Sequence, residues 1–386
     1  MNAHRTSVYL LVVTVIGLIA LGLVMLSSTS AYAPEAHGNA MFLLKRQIVW
    51  LGVGLLVCAV AAALDYHLLE KTWWIWFGLS IFLLTLCYVP QICHRINGSR
   101  RWINIGVTFQ PSEFAKLAAI ATVAWWFARD EDYARQFWRG FVAPLGAAGI
   151  LMALIAPEVD MGTTALIGTT TFLLMFIAGT RLLFLLPTVA SGFAALTIVA
   201  LKMPDRVGRM MAFMYPEKYP KEAYQTVQGL IALGSGGVEG LGLGSGRQKM
   251  MYLPFAHTDF IFPVIGEELG LRITLTIVFA FIVFIFCGAM IAMRARDRFD
   301  MLLGFGIVTI IALQAAVNIG VTTALLPNKG LPLPFISYGG SNLVFCLLGV
   351  GILVNIYRQG LNERDEQKES VVLRARTRNA RRVQRF

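Results

Sequence analysis

The chain has 386 residues, of which 57% are hydrophobic and 14% charged, with 36 glycines besides. A water-soluble domain carries roughly a quarter charged residues, so this composition cannot clothe a water-facing surface: it belongs to a membrane protein and leaves no room for a separate soluble enzyme domain. The net charge of +11 is spread over many loops without a basic stripe interleaved with aromatics, which points to anionic lipid as the partner and not to nucleic acid.

The first apolar run, 8–28, follows His4 and Arg5 and precedes Ala31-Tyr32-Ala33, a tripeptide that could pass for a signal-peptidase site. The run exceeds the roughly 7 to 15 apolar residues of a cleavable signal, so it reads as an uncleaved span. Further runs at 47–64, 73–90, 111–127, 141–157, 163–179, 182–201, 264–292, 301–325 and 339–357 bring the total to ten. The pattern predicts an all-α polytopic membrane domain over 1–360, with a long extracytoplasmic loop at 202–261 between the seventh and eighth helices. Residues 361–386 hold too few apolar side chains to fold alone and read as a disordered basic cytoplasmic tail near anionic lipid. Cys58, Cys87, Cys93, Cys287 and Cys346 show no C-x-x-C or His-paired spacing, so neither a disulfide framework nor a metal site is expected.

An even number of spans puts both termini on one side. Placing them in the cytoplasm collects Arg5, Lys71, Arg129, Arg135, Arg139, Arg181, Arg294, Arg296, Arg298 and the basic tail on the inner face. Lys45, Arg46, Arg95, Arg100, Arg101 and Lys329 nevertheless fall in short outer loops, and further cations lie between Lys202 and Lys249. Cations that defy the inside bias call for an anionic ligand, unless they are merely solvated or bind headgroups.

Four outer segments carry polar chemistry. In Asn97-Gly98-Ser99-Arg100-Arg101-Trp102 and Gln110-Pro111-Ser112-Glu113-Phe114-Ala115-Lys116, Pro111 suits a first helical turn and places Glu113 and Lys116 on one face. Lys116 enters an apolar span, so its ammonium either pairs with Glu113 or holds a phosphate together with Arg100 and Arg101. Glu158-Val159-Asp160-Met161-Gly162-Thr163 sets two carboxylates in a short turn, where Asp160 could cap the next helix. The glycine-dense stretch 234–246 leads into Arg247-Gln248-Lys249; glycines permit close approach to a ligand, and the cations could hold a pyrophosphate, although flexible loops share that composition.

Tyr252-Leu253-Pro254-Phe255-Ala256-His257-Thr258-Asp259-Phe260 surrounds Asp259 with apolar and aromatic neighbours. Desolvation there would raise its proton affinity and make it a usable general base, the alternative being a loop staple pinned by Lys or Arg. Glu267 and Glu268 read as structural, with Glu268 and Arg272 an i,i+4 helix pair. Lastly, Leu326-Pro327-Asn328-Lys329-Gly330-Leu331-Pro332-Leu333-Pro334-Phe335-Ile336-Ser337-Tyr338-Gly339-Gly340-Ser341 promises irregular backbone lining a cavity, with Ser337, Tyr338 and Ser341 offering hydroxyls to a polar ligand.

In the order of these motifs, over about 8–360, the chain resembles the SEDS family (shape, elongation, division and sporulation), which contains FtsW, RodA and SpoVE. Lys329-Gly330 is closer to the FtsW branch than to RodA. The resemblance implies a ten-helix glycosyltransferase of the bacterial inner membrane that polymerises lipid II into peptidoglycan at the division septum. It carries the catalytic base onto Asp259 and further functional positions onto Arg100, Arg101, Gln110, Glu113 and Lys116. The flanking Asp160, Gln248, Lys249, His257, Thr258, Lys329, Ser337, Tyr338 and Ser341 would complete a substrate surface. Implied partners are a class B penicillin-binding transpeptidase (FtsI-like), division regulators such as FtsQ, FtsL and FtsB, and membrane lipids. A divalent cation, magnesium or manganese, could share the charge relief. Two departures stand out: Glu158-Val159-Asp160 replaces the usual Gln-Pro-Asp, and Pro263 follows Phe-Ile-Phe. Other classes remain open at this level, namely a lipid-linked precursor flippase and a non-catalytic scaffold for the transpeptidase.

Overall fold

The computed structural model describes residues 3–32, 39, 41–96, 99–104, 108–158, 160–188, 192, 204–250 and 252–360. Apolar runs become helices because each backbone polar group must be satisfied within its own segment where water is absent. They are α1 (Ala3–Ser30), α2 (Phe42–Ala63), the short α3 (His67–Lys71), α4 (Trp73–Leu86), α5 (Pro111–Ala128), α6 (Ala143–Ile155) and α7 (Met161–Ile177). After these come α8 (182–188), α9 (Pro204–Met214), α10 (Pro220–Gly236), α11 (Ile261–Ala292), α12 (Arg298–Thr322) and α13 (Gly340–Gly360). Among the described residues, six helices are long and apolar enough to cross a membrane, while α4 and α7 are shorter apolar helices. The chain is a multi-pass membrane protein. The expected seventh span is described only over 182–188 and 192, and the expected basic tail lies outside the described residues.

α11 is the central element, packed against α1, α10 and α12, while α5 joins α4, α7 and α12. Leu11, Met25, Phe127, Phe284 and Phe299 are fully buried in one continuous core. Small residues let helices close on one another: a Cβ on Gly304 would stand 3.0 Å from Ala292 Cβ, and Gly288 lies under Val308. Outward-facing Val49, Leu56, Phe279, Ile282 and Phe286 remain exposed, as lipid-facing side chains should.

Between α4 and α5 the chain forms an antiparallel sheet, β1 (Cys93–Ile96), β2 (Ser99–Asn104) and β3 (Thr108–Phe109), in the order β1-β2-β3. Pairing of Ile103 with Phe109 delivers the chain to Gln110, which precedes α5 with Pro111 at its first turn.

The segment expected as a loop at 202–261 contains two helices, α9 and α10. α10 opens on Pro220 with Glu222 in its first turn, both favourable at a helix start, and buries Ala223, Gly229 and Ala232. The glycines that follow were expected to approach a pyrophosphate. Instead they approach protein, because α11 is broken at Gly270 (φ 77°, ψ −177°), which frees the carbonyls of Glu267 and Glu268. Leu241 N and Gly242 N donate to those carbonyls at 2.9 Å, and Leu271 N donates to Gly237 O at 3.0 Å. Gly240, at φ 83°, sits so close to the Glu268 backbone that a side chain could not enter. The same break overturns the expected Glu268–Arg272 pair: Arg272 meets Glu239 at 3.1 Å, and Glu268 turns inward to Lys249.

Candidate active site

Asp259 lies one residue before Phe260, the N-cap of α11, in a loop zippered to the Pro-rich segment 331–338. Tyr338 N donates to His257 O at 3.0 Å, and Ser337 Oγ donates to Thr258 O at 2.6 Å while accepting from Leu333 N at 2.8 Å. Asn318, buried inside α12, donates to both loops through one amide, to Asp259 O at 2.8 Å and Leu331 O at 2.7 Å. Phe255 and Phe335, one in each loop, hold positive φ of 58° and 67°. Such strain persists only where surrounding contacts over-determine the backbone. His257 is buried beside the Tyr338 ring, with centroids 5.9 Å apart.

The Asp259 carboxylate itself stands over Gly330, where a Cβ would come within 2.6 Å of Oδ2. It is half-buried, and among the described residues no side chain donates a hydrogen bond to it. Desolvation pushes its pKa up to about 6; the Arg101 charge pulls it down and the Asp160 charge raises it. This is the shift a carboxylate needs to be ionised at neutral pH and still take a proton readily.

A second network backs this loop. Asp160 caps α7, accepting from Thr163 N at 3.1 Å and Thr163 Oγ1 at 2.9 Å, and it also receives Gln110 Nε2 at 3.0 Å and Ser112 Oγ at 3.2 Å. Ser341 Oγ accepts from Gln110 N at 3.2 Å. Lys116 pairs with Glu113 at 2.7 Å and donates to Gln314 Oε1 at 2.7 Å; Gln314 Nε2 reaches Pro332 O at 2.9 Å, and Asn342 Nδ2 reaches Glu113 at 3.1 Å. Of the two readings of Lys116, the geometry displays the pair with Glu113: the ammonium is buried and engaged by protein, and through Gln314 it supports the Pro-rich segment.

Lys249 is engaged in the same way. Its ammonium is buried against Glu268 at 2.6 Å, Ser28 Oγ at 2.6 Å and Gly244 O at 2.8 Å, while Gln248 N donates to Glu267. The hydroxyls of Ser337 and Ser341 are also occupied by backbone partners. The Arg100 side chain lies outside the described residues. Arg101 is half-buried on β2, with its guanidinium 5.9 Å from the Trp102 ring, and Lys329 is exposed next to Gly330.

Gln314 and Asn318 were missed in the sequence, although two amides at i and i+4 inside an apolar span are costly unless they have work to do. Among the described residues no group of three His, Cys, Asp or Glu side chains converges at Asp259.

The chain matches the family model of FtsW, RodA and SpoVE, described as cell cycle protein, over residues 9–361. A probable peptidoglycan glycosyltransferase FtsW of Trichlorobacter lovleyi is 39% identical over 353 residues, covering 90% of this chain and 92% of the relative. Stage V sporulation protein E of Bacillus subtilis is 38% identical over 369 residues, covering 93% and 99%. Among solved structures, a chain from "Structural coordination of polymerization and crosslinking by a peptidoglycan synthase complex" superposes with a TM-score of 0.76 at 26% identity, covering 91% of this chain and 97% of that one. The rod shape determining protein RodA of Thermus thermophilus gives 0.67 at 28% identity, covering 90% and 95%.

Proposed function

The chain belongs to the FtsW/RodA/SpoVE family, and from that premise we propose that Asp259 is the general base of its glycosyl transfer. The protein is a peptidoglycan glycosyltransferase. In the proposed reaction Asp259 takes the proton of the 4-hydroxyl of an acceptor GlcNAc as that oxygen bonds to C1 of the donor sugar. The bond from C1 to the undecaprenyl pyrophosphate breaks on the opposite side, so the anomeric centre inverts. A single displacement needs one base and charge relief for the leaving group, which favours a solitary carboxylate beside cations over the carboxylate pair of a retaining glycosidase.

The observation that carries this reading is the Asp259 carboxylate, unpaired among the described residues, half-buried, with its backbone carbonyl clamped by Asn318. Charge relief falls first to Arg101 on β2, whose charge already acts on Asp259. The substrate is lipid II, presented from the outer leaflet at a ten-helix membrane domain. The partner is a class B transpeptidase at the septum, a reading supported by the likeness to a chain of a peptidoglycan synthase complex. The test is lipid II polymerisation by purified Asp259→Asn protein with its transpeptidase, resolved on a gel. A loss of at least about a hundredfold is expected for removal of a general base; folded variant that polymerises at the wild-type rate would end the assignment.

A further inference from the structure

The start of α11 carries Asp259, and its far end carries a second cluster with different chemistry. The unbroken part of α11 beyond Gly270 alone spans about 33 Å, so the far cluster takes no part in glycosyl transfer. We propose that His67, Asp297 and Asp300 bind one divalent transition-metal ion, Zn2+ or Mn2+, which joins the connection between α2 and α4 to the connection between α11 and α12.

One ligand atom from each of the three residues lies within 4.8 Å of the others. His67 Nε2 stands 3.5 Å from Asp297 Oδ2, close to the separation of two ligands that each sit roughly 2.0 to 2.2 Å from a shared ion. Asp297 is half exposed, so a small rotation of its side chain closes the remaining gap. The other face of the imidazole is already set for metal binding. Asp65 Oδ1 lies 2.7 Å from Nδ1 and is held there by His67 N at 3.0 Å and by Gln359 Nε2 at 3.0 Å. This contact occupies Nδ1 and leaves Nε2 facing Asp297. A carboxylate that orients a histidine in this way is the usual support of a metal-bound imidazole.

Asp300 supplies the independent sign that something is to be bound. It is fully buried, and its Oδ2 accepts from the Tyr66 hydroxyl and from Asp297 N at 3.4 Å, yet Oδ1 has no hydrogen bond at all. An orphaned carboxylate oxygen away from water is costly, and a cation removes that cost. The nearby protein cations are poorly placed to do so. Arg296 approaches Asp297 at 3.6 Å from a half-exposed position, and Arg298 is turned to Glu131 at 3.3 Å and Ala178 O at 2.6 Å. An imidazole nitrogen with carboxylate oxygens suits Zn2+ or Mn2+ better than the all-oxygen shell of Ca2+. His67 and Asp297 are open enough to solvent for water to complete the coordination.

The full chain, purified in detergent and stripped with chelator, is dialysed against Zn2+ or Mn2+, and bound metal is measured by mass spectrometry. One ion per chain is expected in the wild type and in Asp259→Asn, with affinity at least tenfold weaker in His67→Gln and in Asp297→Asn. Zn2+ should also raise the thermal midpoint of the wild type and leave that of His67→Gln unchanged, which separates lost binding from lost folding. Because the readout is metal content and not polymerisation, it stands whatever the fate of the Asp259 assignment. Equal metal content in wild type and His67→Gln, or none in either, would overturn the proposal and leave His67 as an ordinary ion-pair partner of Asp65 and Asp297.

Discussion

Asp259 and Glu268 flank the start of the same helix and have opposite fates. Glu268 is fully buried and saturated by Lys249, Ser28 and the Gly244 amide. Asp259 is half-buried, leans on a glycine and finds no donor among the described residues. Pairing makes Glu268 a staple between α1, the glycine-rich segment and α11. Desolvation raises the Asp259 pKa to about 6, in the range a general base requires. On the proposed reading, reactivity at Asp259 rests on a contact withheld from its carboxylate while its backbone carbonyl is held by Asn318.

The comparison breaks most visibly at Lys249. Lys249→Met leaves the buried Glu268 charge alone and should destabilise the fold by about 3 to 5 kcal/mol in thermal or denaturant unfolding. Adding Glu268→Met should recover most of that loss, since an apolar pair of similar volume tolerates the site. Asn318→Ala, which removes the donor shared by the two loops, should cost about 2 kcal/mol of stability and lower polymerisation besides, because the carbonyls of Asp259 and Leu331 lose their buried donor.

Gly330→Ala sharpens the contrast further, since its Cβ would press on Asp259 Oδ2 and turn the carboxylate. Polymerisation should fall about ten- to a hundredfold while unfolding changes little, as expected for a displaced reacting group. The smallest effect is Asp259→Asn on stability. A carboxyl whose folded pKa is raised from 3.8 to about 6 binds protons more tightly when folded, so the ionised form weakens the fold as pH rises through that range. The variant should therefore unfold at a higher temperature than wild type at pH 7.5, and the difference should vanish below about pH 4, where both states are protonated.

Much of this arrangement is legible in the sequence. The apolar runs mark the helices because a span must satisfy its own backbone, and the aromatic setting of Asp259 announces desolvation. The helix in the supposed loop was signalled by Pro220 and Glu222, but a segment long enough to be called a loop hid it. The Asn97-Gly98 dipeptide is a hairpin signal between what prove to be β1 and β2. The Glu113 pair of Lys116 was legible as an i,i+3 spacing, but a sequence does not show that Gln314 closes on Lys116, or Glu268 on Lys249, in space. The Glu268–Arg272 pair failed because the i,i+4 rule presumes an unbroken helix, and Gly270 breaks it. The metal-type cluster joins residues more than two hundred positions apart, so no spacing motif could reveal it.

The central claim is that an unpaired, partly desolvated Asp259 is the base, and the pH dependence of kcat/KM for lipid II polymerisation tests it most directly. Activity should fall about tenfold per unit of pH below about 6 and level off above it, with that limb absent from the residual rate of Asp259→Asn. A profile that stays flat down to pH 4, or the same limb in the variant, would contradict it.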